Sequence, residues 1–281
     1  MIDSLTIMLM LTAAVLHASW HALIKSASNG IAALAGMGLV ATVAAAGVLP
    51  FVPFPTAPVW PVIAGSVCLH FGYKLALARS YRFGDLGQAF PLARGFVPLF
   101  AATLAFVFMD EVPKSGQMVG IAVVSSGLIW LAADSVRGGI DRRVFAAASV
   151  AGLTVAGYAV VDAYGTRLAG DWLSFTAWLV FVDSGSFFVL ILAYQGRNLP
   201  QQLWRNRVRT LTSGLLGVGS FGVFLWALSR SAVGPVAALR ESSVLFAAII
   251  GMVWYGEVRS PHRLGAAALI VAGLMVITLL R

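Results

Sequence analysis

Charge is scarce in this chain. Asp, Glu, Lys and Arg together make up 11% of its 281 residues and hydrophobic residues 59%, against roughly 25% and 45–50% in an average soluble domain. That balance excludes an ordinary soluble fold. Cysteine is nearly absent too: Cys68 stands alone in an apolar run, so no intramolecular disulfide and no paired-cysteine metal site can form. Acidic residues number 11 against 19 Lys and Arg, for a net charge of +8. The basic residues are scattered through short connections rather than gathered on one face, so nucleic acid is not an expected partner.

Chemical signatures are also missing. The sequence has no Gly-x-x-x-x-Gly-Lys-Ser/Thr loop to cradle a nucleotide, no Gly-x-Ser-x-Gly nucleophile elbow and no His-Glu-x-x-His metal motif. The chain is therefore not expected to be an enzyme or to hold a cofactor or metal. No loop is a candidate pore filter. Met1-Ile2-Asp3-Ser4 lacks the basic residues of a signal peptide, and the apolar run behind it continues into His17, Trp20, His21 and Lys25. It reads as a retained first helix.

Long apolar runs are what the sequence has in abundance. Broken at glycine, proline and charge clusters, they form ten segments: 5–25, 31–51, 60–80, 86–108, 115–133, 144–165, 172–193, 208–230, 234–254 and 262–280. At roughly 20 residues per span, ten spans use nearly the whole chain. Stretches such as Leu264–Leu280 are apolar throughout, which rules out the alternation of a transmembrane barrel. The predicted fold is an all-α integral membrane bundle of ten transmembrane helices. Asp134–Arg143 divides it five and five.

Loop charge sets the expected orientation. Twelve basic residues lie at odd-numbered loops and four at even-numbered loops and termini, which places the odd loops in the cytoplasm and both termini outside the inner membrane.

The two halves resemble each other. Leu92-Ala-Arg-Gly-Phe-Val-Pro-Leu-Phe-Ala-Ala102 aligns with Ala238-Leu-Arg-Glu-Ser-Ser-Val-Leu-Phe-Ala-Ala248, bringing Arg94 onto Arg240 at an offset of 146. Glu111-Val112 and Glu257-Val258 share that offset, as do Gly127 and Gly273. Leu77-Ala-Arg-Ser80 resembles Leu228-Ser-Arg-Ser231, and Trp20 matches Tyr158. The expected organisation is a first repeat over 1–134, a linker over 135–143 and a second repeat over 144–281. Five helices is an odd number, so the copies are inverted relative to one another, an architecture suited to alternating access.

On these residues, together with Leu-His-Ala-Ser-Trp-His-Ala-Leu-Ile-Lys at 16–25, Pro-Leu-Ala-Arg-Gly at 91–95 and Leu-Arg-Glu-Ser-Ser at 239–243, the chain resembles the EamA family of the drug/metabolite transporter superfamily. The resemblance implies a carrier of amino acids, metabolites or drugs. The duplication gives one chain a complete carrier, and a dimer is equally compatible with it. One spacing differs between the copies: Gly84 precedes Arg94 by ten positions, Gly234 precedes Arg240 by six. The fourth helix is therefore expected to start about one turn earlier than the ninth.

Six charges fall within spans: Lys74, Arg94, Arg240, Asp162, Asp183 and Glu241. Each costs at least ~2.5–3.5 kcal/mol at mid-bilayer unless it faces a cavity or a partner, so these are the first site candidates. Arg94 sits mid-helix and can hold a carboxylate bidentately; the competing role is an ion pair with Asp162 or Asp183. Arg240 and Glu241 are neighbours that should point to different partners, with a gate near one mouth as the alternative. His17, His21 and Lys25 share one face of the first helix, and His70, Tyr73 and Lys74 one face of the third.

Trp20 and Tyr158 supply aromatic walls, and Asp162, Asp183 and Glu241 are the coupling or counter-ion candidates. A proton role suits the histidines. The expected function is a secondary carrier of a small zwitterionic or anionic metabolite, driven by substrate or proton gradients. The alternative is export of a cationic amine or drug.

Overall fold

The computed structural model describes residues 3–83, 86–137, 141–254 and 261–280. Among these there is no strand. The helices are α1 (Ser4–Lys25), α2 (Gly30–Val48), α3 (Val59–Phe83), α4 (Leu86–Arg94), α5 (Val97–Met109), α6 (Ser115–Arg137), α7 (Arg142–Leu168), α8 (Trp172–Gln195), α9 (Asn198–Arg205), α10 (Arg207–Arg230), α11 (Val233–Arg240), α12 (Ser243–Trp254) and α13 (Pro261–Leu279). Taken with α4–α5 and α11–α12 as single broken spans, they give ten helical stretches long and apolar enough to cross a membrane. Their limits fall within a few residues of the predicted segments.

Local chemistry explains many of the ends. The Asp3 carboxylate accepts the Thr6 N–H at 2.7 Å and starts α1. Asn29, Asp141 and Asp171 do the same for α2, α7 and α8, each satisfying a donor that the first turn leaves unpaired. Prolines fill the connection before α3, and Ser174 Oγ of α8 donates to the Pro53 carbonyl at 2.8 Å, tying that rigid loop to the bundle.

Two elements were not legible as continuous spans. The fourth and ninth spans are each broken at mid-depth, at Gly95-Phe96 and at Glu241-Ser242. In the fourth, Pro98 follows in the first turn of α5, where its missing N–H costs nothing. Gly95, Glu241 and Ser242 are buried in protein, the condition under which irregular backbone is tolerated at membrane depth. The breaks put Arg94 and Arg240 in the last turns of α4 and α11, beside carbonyl ends that favour a cation. The short α9 is the other surprise. Leu199 packs inward while Trp204 is exposed.

The expected extra turn on the fourth helix is not found. Its described part begins at Leu86, eight residues before Arg94, and α11 begins at Val233, seven before Arg240. Gly84 itself lies outside the described residues. The additional residues of the first copy extend α3 instead: α3 runs three residues beyond Ser80, whereas α10 stops one residue before Ser231. Arg240 is consequently as deep as Arg94, roughly 12 Å of helix from the start of its half-span, and not near one mouth.

Packing pairs equivalent helices. α2 packs on α8 and α6 on α13, while α3 against α7 is matched by α1 against α10, and α5 against α7 by α12 against α1. Close approach of α6 and α13 depends on absent side chains. A Cβ on Gly120 would sit 2.4 Å from Ile277, and one on Gly273 would sit 2.6 Å from the Val124 nitrogen. Gly214 and Gly217 similarly admit Val40 and Met37 of α2. Gly222 has nothing within 4 Å, so close packing is not its role.

Candidate functional site

The spacing of polar residues on α1 and α3 turns two helix faces toward one central volume. A cavity of about 90 Å³ lies between α1, α2, α3, α7, α8, α10 and the end of α11, with Trp20, Tyr73, Lys74, Tyr158, Asp183 and Arg240 in its wall. His17, His70, Ser184 and Ser220 also line it, and the remaining wall is apolar. Two charged networks border the space.

The first centres on Arg94, which is completely buried. Its Nη1 donates to Glu241 Oε1 at 3.2 Å, its Nη2 lies 2.8 Å from His17 Nε2, and Nη2 donates to the Tyr73 hydroxyl at 3.4 Å. Trp20 Nε1 donates to His17 Nδ1 at 3.2 Å. His21 lies 3.1 Å from His17, 3.1 Å from the Tyr73 hydroxyl and 2.7 Å from the Tyr81 hydroxyl. The partner expected for Arg94 from sequence, Asp162 or Asp183, is thus replaced by Glu241. Both aspartates are engaged elsewhere, and the break after Arg240 lets the glutamate turn inward from the adjoining helix. His21 holds Tyr73 and Tyr81 and does not line the cavity.

The second network runs along α3. Ser66 donates to Asp162 Oδ1. His70 Nε2 faces Asp162 Oδ2 at 3.3 Å, and its Nδ1 faces Asp183 Oδ2 at 3.6 Å. Lys74 Nζ donates to Asp183 Oδ2 at 2.6 Å and sits 4.8 Å from the centre of the Phe187 ring. Lys74 is therefore anchored in the interior rather than extended toward the interface.

Arg240 differs from the other five. Its guanidinium stacks on Phe224 at 4.0 Å and lies 5.7 Å from the Tyr158 ring centre. No hydrogen bond or ion pair to another described residue satisfies it, and its Nη1 is buried and unpartnered. Asp183 Oδ1 and Glu241 Oε2 are likewise buried without partners. An unpaired cation and an unfilled carboxylate oxygen thus belong to residues lining one small cavity.

The second half of the sequence matches the family model described as EamA-like transporter family, over residues 143–279. The chain carries an EamA-like transporter domain. Over its full length it is similar to a solved crystal structure with a TM-score of 0.74 at 18% sequence identity, covering 99% of this chain and 98% of that one. At that identity the likeness establishes the fold. No curated protein sequence matches it. Ten apolar helices and the family together make this EamA-like chain an integral, multi-pass membrane transporter.

Polar contacts tie helices together at both faces of the bundle. On the side of the termini, Glu111 pairs with Arg167, and its Oε2 accepts the Val233 N–H at 2.8 Å, capping α11. Arg167 also donates to the Leu228 and Ser231 carbonyls. Glu111 is thus a cap and a clasp at once. Its repeat counterpart, Glu257, lies outside the described residues. On the opposite side Lys25 donates to the Tyr81 carbonyl at 3.0 Å, at the edge of a basic vestibule of about 1400 Å³ lined also by Arg79, Arg82, Arg142 and Arg143.

Sequence reasoning did not single out Ser66, Tyr81 or Phe224. Ser66, His70 and Lys74 recur every four residues, a pattern readable in the sequence. Tyr81 and Phe224 carry no such signal, since an aromatic residue near a helix end or in an apolar run is ordinary.

Proposed function

We propose that this EamA-like chain is a secondary transporter that moves a small zwitterionic metabolite by alternating access, its two halves, 1–134 and 144–281, being inverted repeats. Arg240 carries the reading. A buried guanidinium with no protein partner, facing a cavity, is a site for a carboxylate. Asp183 Oδ1 supplies the complementary acceptor for an ammonium, and Trp20 and Tyr158 supply the aromatic walls between them. The six interior charges would then be Arg94, Lys74 and Glu241 holding the scaffold, Arg240 and Asp183 meeting substrate, and Asp162 supporting His70.

Size argues in the same direction. A cavity of about 90 Å³ is well below the ~300–1000 Å³ of pockets for drug-sized molecules. Twelve basic residues at odd loops favour insertion in the inner membrane with those loops cytoplasmic and the termini outside.

The test is a thermal-shift titration of the purified protein with glycine, L-alanine and L-serine, beside acetate and matched organic cations. A ligand at a hundred times its dissociation constant adds ~2.7 kcal/mol of stability. The amino acids are expected to stabilise the protein and the cations to leave it unchanged. Stabilisation by cations alone would transfer the site to Asp183 and replace this reading with amine export.

A further inference from the structure

Unlike His17 and His21, His70 is held with a carboxylate facing each ring nitrogen: Asp162 Oδ2 at 3.3 Å from Nε2 and Asp183 Oδ2 at 3.6 Å from Nδ1. Carboxylates accept and do not donate: Nε2–H donates to Asp162, and a second carboxylate at ion-pair distance from Nδ1 favours a hydrogen there as well, as in the imidazolium. The ring is buried, with one side on the cavity. α7 contributes Asp162 and the Tyr158 ring, 4.3 Å away centre to centre. α8 contributes Asp183, α10 the uncharged Phe221 at 5.3 Å, and α3 itself Ser66, Tyr73 and Lys74. α2 has no titratable side chain.

With His70 charged, the cluster balances: Asp162 and Asp183 carry two negative charges, His70 and Lys74 two positive. An ammonium arriving at the unpartnered Oδ1 of Asp183 is the third cation on one buried carboxylate, beside Lys74 and His70. Loss of one proton from His70 relieves that crowding. The ligand's carboxylate pairs with Arg240, so the competition is confined to Asp183.

We propose that His70 is a proton-binding site of the carrier, and that its proton is exchanged one for one against the ammonium group of the substrate. The step is a charge replacement. The N–H bond at His70 Nδ1 breaks, the proton passes to water on the side to which the cavity is open, and Asp183 then holds Lys74 through Oδ2 and the incoming ammonium through Oδ1. When substrate leaves on the other side, a proton from that side takes its place, so substrate and proton move in opposite directions. The exchange rests on the zwitterion reading above; the proton site does not.

Two measurements separate them. In nanodiscs at pH 7.5, ¹⁵N spectra of histidine-labelled protein are expected to show His70 with both nitrogens protonated. The signal is assigned by its loss in His70→Gln or, if that variant does not fold, by removing His17, His21 and His262 in turn. A neutral His70 without ligand overturns the proposal. L-alanine is then added at a concentration that gives a thermal shift. The expected result is deprotonation of His70 and release of close to one proton per bound alanine in weakly buffered solution, with release lost and binding kept in His70→Gln. Binding without release, or release unchanged in the variant, overturns the exchange. Absence of any shift with glycine, L-alanine or L-serine overturns the zwitterion reading and the exchange built on it, while the ligand-free spectrum still decides the proton site.

Discussion

Arg94 and Arg240 occupy the same place in the two halves, at the last turn of a half-helix just before a mid-membrane break. Their surroundings are opposite. Arg94 is wrapped by Glu241, His17 and Tyr73 and lies over the Phe90 ring. Arg240 has only the faces of Phe224 and Tyr158. The partner that satisfies Arg94 comes from the residue next to Arg240, so the second copy supplies the counter-charge for the first and receives none in return. An inverted pair that would otherwise present two equal cations becomes one structural arginine and one open one. Duplication supplies the frame, and a single unreciprocated ion pair makes it asymmetric.

Breaking the Arg94 side should cost most. Glu241→Gln leaves a buried guanidinium uncompensated and is expected to destabilise the protein by about 3–5 kcal/mol, read as a large fall in melting temperature or loss of folded yield. Gly152→Ala acts on the same side through packing. Its Cβ would meet the Ala93 carbonyl at 2.5 Å and push α4 beside Arg94, for an expected loss of about 1–3 kcal/mol; Gly222→Ala, with open space around it, is the matched control. Arg240→Leu without ligand should be mild. The contact with Phe224 is worth about 2 kcal/mol, offset by removing an unpaired buried charge. Glu111→Gln loosens the clasp that seats α11. Because Glu111 and Arg167 are partly solvated, the expected cost is about 1 kcal/mol or less, detectable as increased labelling of a cysteine placed at Ser220. If Glu241→Gln proved as mild as Arg240→Leu, the contrast between the two arginines would fail.

Much of this was legible in one dimension. Ten spans follow from apolar run length, because every one must satisfy the same membrane thickness. Lys74 and Asp183 were both legible as interior charges, and geometry pairs them. The breaks were harder. Arg94-Gly-Phe-Val-Pro98 carries a glycine and a proline that advertise an interruption, but Arg240-Glu-Ser-Ser243 carries neither. Only its alignment with the first copy could have transferred the break. The choice of Glu241 for Arg94 joins residues 147 apart and depends on that break, so no local pattern encodes it. α9 was missed because Leu199 and Leu203 give one short apolar stripe amid arginines, too short to register as a span. The extra residues between Ser80 and Arg94 were visible as a length difference; which helix absorbs them is decided by packing at the helix ends.

The most direct test of the central claim is the ligand-induced stabilisation of Arg240→Leu measured beside wild type with the amino acid that shifts wild type most. The account predicts that the variant folds and melts near wild type without ligand and loses the ligand-induced shift. A shift retained in full by Arg240→Leu would contradict it, and would mean that the arginine left without a protein partner is not the one that receives the substrate.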